Sequence, residues 1–279
     1  MQQPEASRPS TAELQARVDA HPFWYHTIDI APGVTTPGWF DLRPIRDRMP
    51  WPGVRGKRCL DIGTFDGFLA FELERRGAAE VVAVDVEDHL EWDWPPDYRA
   101  ADLPRDPGFS GPPKGAGFRL AAELMDSSVD YRELSIYDLD PDEIGTFDVV
   151  VCGSLLLHLR DPLRALEAVR TVTGGVFLSS EQIEIGATLL ARRRPVFRLN
   201  GSGGDAQWWL PNAAGHERLL YAAGFEIERA SRPYAVPFNV HPTELRGLKP
   251  RLRRAAMYAL TRETVPGVLH RAVLARPRV

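Results

Sequence analysis

The chain has 279 residues, of which 44% are hydrophobic and 26% are charged, and its formal net charge is −4. This composition excludes a disordered chain and a protein that coats nucleic acid through overall positive charge. Its longest apolar runs are far shorter than the ~20 residues that a membrane span needs. The N-terminus also lacks the basic start and apolar core of a secretory signal. The sequence therefore predicts a cytoplasmic protein without a membrane partner.

Residues 1–52 are predicted to form an N-terminal cap. A weakly helical stretch begins at Thr11, and the following segment from His21 to Pro52 is dense in aromatic residues, Pro and Gly. Its prolines interrupt the backbone hydrogen-bond ladder repeatedly, which excludes a long helix. The remaining residues, 53–279, are predicted to form the main domain, with long loops inserted at 87–116 and 181–210.

From Gly56 onward, short apolar runs alternate with helical segments, which is typical of βαβ units on a parallel sheet. We predict an α/β doubly wound fold with seven mostly parallel strands, the last one antiparallel. Strands are predicted at Arg58–Ile62, Val81–Asp85, Asp130–Ser135, Phe147–Cys152, Gly175–Ser180, Phe225–Ala230 and Ala272–Ala275. Helices are predicted at Gly67–Arg76, Gly117–Met125, Pro162–Thr171, Asn212–Ala223 and Lys249–Thr261.

The two cysteines, Cys59 and Cys152, fall on neighbouring predicted strands but near opposite ends. A disulfide needs its two Cα atoms within about 7 Å. We therefore predict two reduced, buried thiols.

The block from Cys59 to Gly67 carries the main chemical signal, and Val81-Val82-Ala83-Val84-Asp85 follows it after a helix. Strand, glycine-containing turn, helix and a second strand ending in an acid make up the general nucleotide-binding half-fold. Gly63 and Gly67 let the backbone approach a ligand closely. Asp85 can accept hydrogen bonds from both hydroxyls of a ribose.

Two nucleotide-binding motifs are absent from the sequence, and their absence limits the class of ligand. A dinucleotide fingerprint would need glycine where Phe65 and Phe68 stand, so a pyrophosphate would lose its close approach. The sequence also contains no P-loop motif. The pattern therefore favours a nucleoside ligand without a pyrophosphate, bound beside carboxylates.

The segment Asp61-Ile62-Gly63-Thr64-Phe65-Asp66-Gly67 resembles the first motif of class I S-adenosylmethionine-dependent methyltransferases, with Phe65 in place of the usual middle glycine. Its form is most similar to the family of the tRNA 5-hydroxyuridine carboxymethyltransferase, in which D-[IV]-G-x-x-D-G-[FY] is common. The resemblance runs from about Trp24 to Phe238. It includes a lead-in at Thr36–Asp41, a fourth motif at Phe147–Pro162, and a late helix and strand at Trp209–Phe225.

The resemblance implies S-adenosyl-L-methionine as the cofactor, with S-adenosyl-L-homocysteine as its product. It places Asp66 near the cofactor ammonium and Asp85 on the ribose, while Ile136 and Tyr137 would sandwich the adenine. Plain packing is the alternative for the last two residues, and a structural cap on the turn is the alternative for Asp61. The implied cofactor residues are Asp61, Gly63, Thr64, Phe65, Asp66, Gly67, Asp85, Val86, Ser135, Ile136, Tyr137, Gly153 and Ser154.

His158 follows the fourth predicted strand and is the candidate catalytic residue. It could act as a general base for an acceptor hydroxyl or amine, or it could be a structural histidine bonded to a loop carbonyl. Ser154 and Glu181 lie at the carboxyl ends of strands, where this fold faces the acceptor. The expected acceptor site comprises Trp24, Tyr25, His26, Trp39, Glu181, Trp208 and Asn212, of which the aromatic members could instead hold the cap on the sheet.

We predict methyl transfer to an O, N or C nucleophile of a small molecule. The related carboxymethyltransferases carry a lysine where this chain has Thr35 and Thr36, which favours the unmodified cofactor. Residues 246–278 are basic, and could contact tRNA phosphates or form a solvated face. A tRNA wobble-uridine enzyme and a non-catalytic S-adenosylmethionine-binding protein are therefore the alternative functions. The scattered histidines predict no metal site.

Overall fold

The computed structural model describes residues 9–96, 113–200, 207–238, 248–263 and 267–278. The first helix, α1 (Thr11–Ala20), begins at Thr11 as expected. Its start is fixed by a capping box: the Ser10 hydroxyl oxygen accepts from the Glu13 N–H, and a Glu13 carboxylate oxygen accepts from the Ser10 N–H at 2.7 Å. Leu14 and Val18 bury the inner side of this helix.

After α1, the chain forms a short hairpin of β1 (Asp29–Ala31) and β2 (Val34–Thr35), and then a 3-10 turn over Arg43–Arg48. The proline-rich segment thus contains no long helix, as predicted. Ile28, Val34 and Ile45 are buried in the same hydrophobic cluster as α1. The cap is therefore packed by its own apolar side chains onto one face of the sheet.

The central sheet has the predicted doubly wound arrangement. Its strands are β3 (Arg58–Ile62), β4 (Glu80–Asp85), β5 (Asp130–Glu133), β6 (Phe147–Gly153), β7 (Thr173–Gln182), β10 (Phe225–Ala230), β11 (Tyr234–Pro237) and β12 (Gly267–Pro277). Between β7 and β10 in the chain, β8 (Phe197–Leu199) and β9 (Trp209–Pro211) form a separate hairpin. The order is β10-β12-β7-β6-β3-β4-β5, and β12 runs antiparallel to both neighbours. The seven predicted strands and the antiparallel last strand are confirmed. The eighth, β11, pairs with β12 and was missed.

Helices cover both faces of the sheet. They are α2 (Phe68–Arg75), α3 (Gly115–Met125), α4 (Pro141–Ile144), α5 (Pro162–Val172), α6 (Ile185–Leu190), α7 (Ala213–Ala222) and α8 (Leu248–Thr261). Successive sheet residues alternate between two cores: Val149 and Val151 belong to the core shared with the cap, whereas Val150 and Cys152 belong to the other. Because both faces are buried, the central strands are continuous apolar runs.

The prediction of a loop over 181–210 is wrong. That segment contains α6 and one strand of a hairpin formed by β8 (Phe197–Leu199) and β9 (Trp209–Pro211). Much of the predicted 87–116 loop lies outside the described residues. Cys59 stands opposite Val149 while Cys152 stands opposite Ile62, and both are free and buried, as predicted. Within the described part of the chain, no helix is long and apolar enough to cross a membrane.

Candidate active site

A cavity of about 220 Å³ lies between the cap and the carboxyl ends of β3, β4 and β6. Ligands of doubly wound sheets bind at this edge. The cavity brings together thirteen of the residues predicted from the sequence: Tyr25, His26, Trp39, Gly63, Phe65, Asp85, Val86, Ser135, Ile136, Tyr137, Gly153, Ser154 and His158.

The turn after β3 has the backbone shape that its glycines predicted. Gly63 has φ +73° and Gly67 has φ +99°, and both angles are costly for residues with a Cβ atom. A Cβ atom at Gly63 would also lie 2.9 Å from the Leu155 side chain. Phe65 shares the left-handed conformation, with φ +52°. Its ring stacks on Tyr25 at 4.5 Å between centroids, so the non-glycine residue connects the turn to the cap.

Asp61 lies under this turn, on β3, and is almost completely buried; like Thr64, it lies outside the cavity lining, so its predicted role in cofactor binding stays a prediction. Among the described residues, neither of its carboxylate oxygens has a hydrogen-bond partner, and the same is true of the Thr64 hydroxyl. Burial raises the pKa of Asp61 to about 7. A buried carboxyl without a partner is costly unless a ligand supplies the missing donor or positive charge.

Asp85 ends β4 and faces the cavity. One of its oxygens accepts from the Phe65 N–H at 2.7 Å, and the other accepts from the Val86 N–H at 2.8 Å and from Lys114 Nζ at 2.6 Å. Lys114 is itself buried and lies 4.7 Å from the Phe65 ring centroid and 4.4 Å from that of Trp92. Lys114 therefore forms an ion pair with Asp85, the carboxylate that the sequence predicted to bind the ribose.

Asp66 requires a correction. Instead of facing the cavity beside a cofactor ammonium, its carboxylate accepts from the backbone N–H groups of Tyr25 and His26, each at 2.8 Å, and contacts the His26 ring nitrogen Nδ1. Gly67 is also outside the cavity, where a Cβ atom would meet the Phe71 ring at 2.4 Å. These two motif residues hold the cap and α2 in place.

The predicted adenine side is built on the turn after β5. The Ser135 hydroxyl accepts from the Tyr137 N–H at 3.2 Å, while the Tyr137 hydroxyl donates to the Asp93 carboxylate at 2.6 Å. That carboxylate also accepts from the Arg160 N–H at 2.8 Å. Asp93 therefore connects the segment 87–96 to Tyr137 and to Arg160. Trp92 and Trp94 also line the cavity.

Four predicted acceptor residues lie outside the cavity lining. Trp24 is buried in the cap and donates to the Val18 carbonyl at 3.0 Å, and Trp208 donates to the Asp93 carbonyl at 2.6 Å. Glu181 accepts from the Leu155 N–H at 3.2 Å, and burial raises its pKa to about 8. Asn212 is completely buried, and its side-chain amide is bonded to backbone groups of Val196, Gly215, Ala187, Ala191 and Arg194. Trp208 and Glu181 thus bond to residues that line the cavity, whereas the partners of Trp24 and Asn212 lie outside the lining.

Sequence reasoning missed several lining residues. Phe23 extends the aromatic wall, with its ring 6.1 Å from that of Trp39. Lys114 and Asp93 lie in segments predicted only as loop, where no periodicity marks an inward-facing side chain. The sequence offered one local indication that Lys114 faces the site: it directly precedes a helix that begins with Gly-Ala-Gly. In the described ranges, no cluster of His, Cys, Asp or Glu side chains could hold a metal.

The residues present fit an adenosyl sulfonium cofactor. The glycine-containing turn leaves room for close approach, and the unpartnered Asp61 carboxyl suits a positively charged group. Asp85 and the Ser135–Tyr137 turn line the part of the cavity where a nucleoside would lie in this fold.

Comparisons with known proteins agree with this fit. The family described as "Methyltransferase domain" matches residues 41–230, and the chain belongs to it as a class I S-adenosylmethionine-dependent methyltransferase. A ubiquinone biosynthesis O-methyltransferase of Ralstonia nicotianae is 28% identical over 254 residues, which cover 88% of this chain and 86% of that relative.

An enzyme of the same description from Acinetobacter baumannii (strain AYE) is 27% identical over 158 residues, covering 51% of this chain and 56% of that relative. The chain thus matches little more than half the length of this relative. The N-terminal domain of EvdMO1 with SAH bound has a TM-score of 0.55 at 16% identity and covers 98% of this chain and 100% of that domain, which shows the shared fold. The narrower kinship with the tRNA enzymes stays a prediction.

Proposed function

We propose that this methyltransferase transfers a methyl group to a hydroxyl oxygen of a small, planar aromatic acceptor. The observation that carries the proposal is the aromatic lining that the cap contributes to the cavity. The rings of Phe23, Tyr25 and Trp39 line the same cavity as Asp85 and the Ser135–Tyr137 turn. Flat aromatic walls suit a flat apolar ligand. The names of the matched relatives, which are O-methyltransferases, support oxygen as the acceptor atom.

When bound, S-adenosylmethionine supplies a methyl group on a sulfonium, a leaving group that is already activated. The chain's own contribution is therefore mainly positioning and exclusion of water. Asp61 would neutralise positive charge beneath the turn, and Gly63 and Gly153 would let the ligand lie against the backbone. Asp85 would accept from ribose hydroxyls in exchange for Lys114.

An acceptor hydroxyl must lose its proton during transfer, and two histidines line the cavity. His26 has the geometry of a general base, because its Nδ1 contacts the Asp66 carboxylate and that contact fixes the ring. A carboxylate that accepts from Nδ1–H leaves Nε2 as the proton acceptor. His158 is the second candidate, since its 3-10 turn, Leu156–His158, follows β6 at the cavity rim.

The test is a turnover assay with purified protein, S-adenosylmethionine and a matched set of probes: catechol, aniline and thiophenol. We expect S-adenosylhomocysteine release and a methylated product with catechol alone. His26→Asn should lower kcat, whereas His158→Asn should leave kcat unaltered if His26 is the base. The reverse pattern would assign the base to His158.

Two results would overturn the proposal. Methyl transfer to tRNA but to no small-molecule probe would support the wobble-uridine alternative. Cofactor binding without turnover on the phenolic probes or on fractions of a cell extract would instead support the non-catalytic alternative.

A further inference from the structure

A segment beside the cavity combines exposed arginines with exposed apolar side chains. This segment, residues 190–199, is here called the arm, and it runs from the end of α6 through β8. Arg192, Arg193, Arg194 and Arg198 are all exposed. None of them forms a salt bridge with a carboxylate in the portion of the chain that the structure describes, and the arm contains no Asp or Glu. Its charge is therefore left uncompensated locally.

The apolar side chains of the arm are directed to solvent. Leu190 is 91% exposed and Leu199 is 59% exposed, and every residue of β8 is exposed. Because side chains alternate along a strand, Phe197 and Leu199 project to one side of β8 and Arg198 to the other. Isolated exposed leucines need no explanation, but an apolar group framed by unpaired arginines indicates a partner surface.

The helix α8 also carries exposed arginines and an exposed leucine. α6 packs against α8, and Ile185 of α6 contacts the small core that contains Met257. On the outer side of α8, Leu252 is 62% exposed, and its neighbours Arg251 and Arg253 are exposed as well. The described residues of α8 also contain no acid. The exposed arginines and apolar side chains of the arm and of α8 are together called the cationic face.

We propose that this face binds the surface of a lipid bilayer with anionic headgroups. Arginines are attracted to anionic headgroups, and leucine and phenylalanine side chains between them can enter the boundary with the acyl chains. RNA would satisfy the arginines but would leave the aliphatic side chains without a partner, because single-stranded bases stack on aromatic rings.

The face is connected to the rim of the cavity. Trp208, which directly precedes β9 of the arm's hairpin, donates its backbone N–H to the Leu157 carbonyl at 2.7 Å and its indole N–H to the Asp93 carbonyl at 2.6 Å. Both acceptors belong to segments that border the cavity. Binding at the face therefore brings the cavity rim close to the bilayer. The inference concerns location and stands without the identity of the methyl acceptor.

The test is co-sedimentation of the purified protein with vesicles of phosphatidylcholine alone or of equal parts phosphatidylcholine and phosphatidylglycerol. We expect binding to the anionic vesicles only, weakened by added salt. Changing Arg192, Arg193 and Arg194 to Gln should weaken partitioning by about fivefold for each charge removed, whereas Arg198→Gln, on the other side of β8 from Leu199, should have a smaller effect. Leu190→Ser combined with Leu199→Ser should weaken it by about tenfold at unchanged net charge.

A matched control changes three exposed arginines elsewhere, on α5, α7 and β12, to Gln: Arg170, Arg218 and Arg276. It makes the same change in net charge and should leave vesicle binding within about twofold of the unmodified protein. A fluorophore at Leu190→Cys should shift to the blue on anionic vesicles, whereas the same label at Leu163→Cys on α5 should not. Circular dichroism would verify that each variant is folded.

Three outcomes would overturn the proposal: no sedimentation with anionic vesicles, equal loss in the control variant, or leucine variants that bind like the unmodified protein. A different result would identify the face as an RNA surface. In that case the protein would bind tRNA and not vesicles, and the binding would weaken with salt and depend on the arm arginines but not on the leucines. These results are independent of the turnover assay, so failure of this inference is distinguishable from failure of the proposed function.

Discussion

The buried carboxyl of Asp61 gives the sharpest prediction. Its pKa of about 7 means that about 0.9 of the carboxyl groups carry a proton at pH 6 and about 0.1 at pH 8. A cationic ligand beside Asp61 favours the ionised form, so binding below pH 7 must release that proton. Apparent affinity for S-adenosylmethionine should therefore rise about fivefold from pH 6 to pH 7 and only about twofold more by pH 8.

Calorimetric titrations at pH 6 in two buffers of different ionisation enthalpy measure this proton release directly. We expect release of about 0.9 proton for the unmodified protein and close to none for Asp61→Asn, which should also bind more weakly. Glu181→Gln is the matched control, because Glu181 is a second buried carboxyl with a raised pKa, but one of its oxygens accepts from the Leu155 and Leu156 N–H groups, whereas neither Asp61 oxygen has a partner among the described residues. Equal proton release by the unmodified protein and Asp61→Asn would refute the reasoning.

The same raised pKa has a consequence for the folded state without ligand. Because the folded protein binds the Asp61 proton more tightly than the unfolded chain does, this group favours folding at low pH. Its contribution should fall as pH rises from about 4 to about 7 and then stay constant. Urea denaturation across that range should give a smaller decrease in the free energy of unfolding for Asp61→Asn.

The remaining predictions concern structural roles. Gly67→Ala should destabilise the protein by about 2–4 kcal/mol in urea denaturation, because its Cβ atom would meet an aromatic ring, whereas Gly33→Ala, with a similar φ and open space, should cost about 1 kcal/mol. Asp66→Ala should accelerate hydrogen exchange of the Tyr25 amide, since that amide loses its acceptor; unchanged exchange would contradict the cap contact. Asn212→Ala should lower the melting temperature, with a loss of about 3 kcal/mol, and leave the acceptor KM unaltered; a raised KM with unaltered stability would restore the original assignment of Asn212 to the acceptor site.

The order of strands and helices was predictable from the sequence because buried parallel strands and amphipathic helices leave different apolar periods. The missed elements lack such a period. β11 is four residues long, and the three residues of β8 are all exposed, so neither leaves an apolar alternation. Their pairing depends on β12 and β9, which are distant in the chain or separated by a long connection.

The glycine-containing turn and Asp85 were predictable because each position has a local backbone requirement. The roles of Asp66 and Asn212 were not, because both depend on what docks against them. Asp66 lies within the glycine-containing turn, between Gly63 and Gly67, and the cap supplies two N–H groups and a histidine ring to its carboxylate. No spacing in the sequence distinguishes a carboxylate that faces a ligand from one that faces a cap.

The central claim is that the adenosyl cofactor binds between the cap and the turn that follows β3. Equilibrium binding of tritiated S-adenosylmethionine tests it most directly. We expect one molecule bound per chain, with binding lost in Asp85→Ala and in Gly63→Val, whose side chain would fill the turn beside Leu155. Undetectable binding by the unmodified protein, or full binding by both variants when folded, would contradict the account.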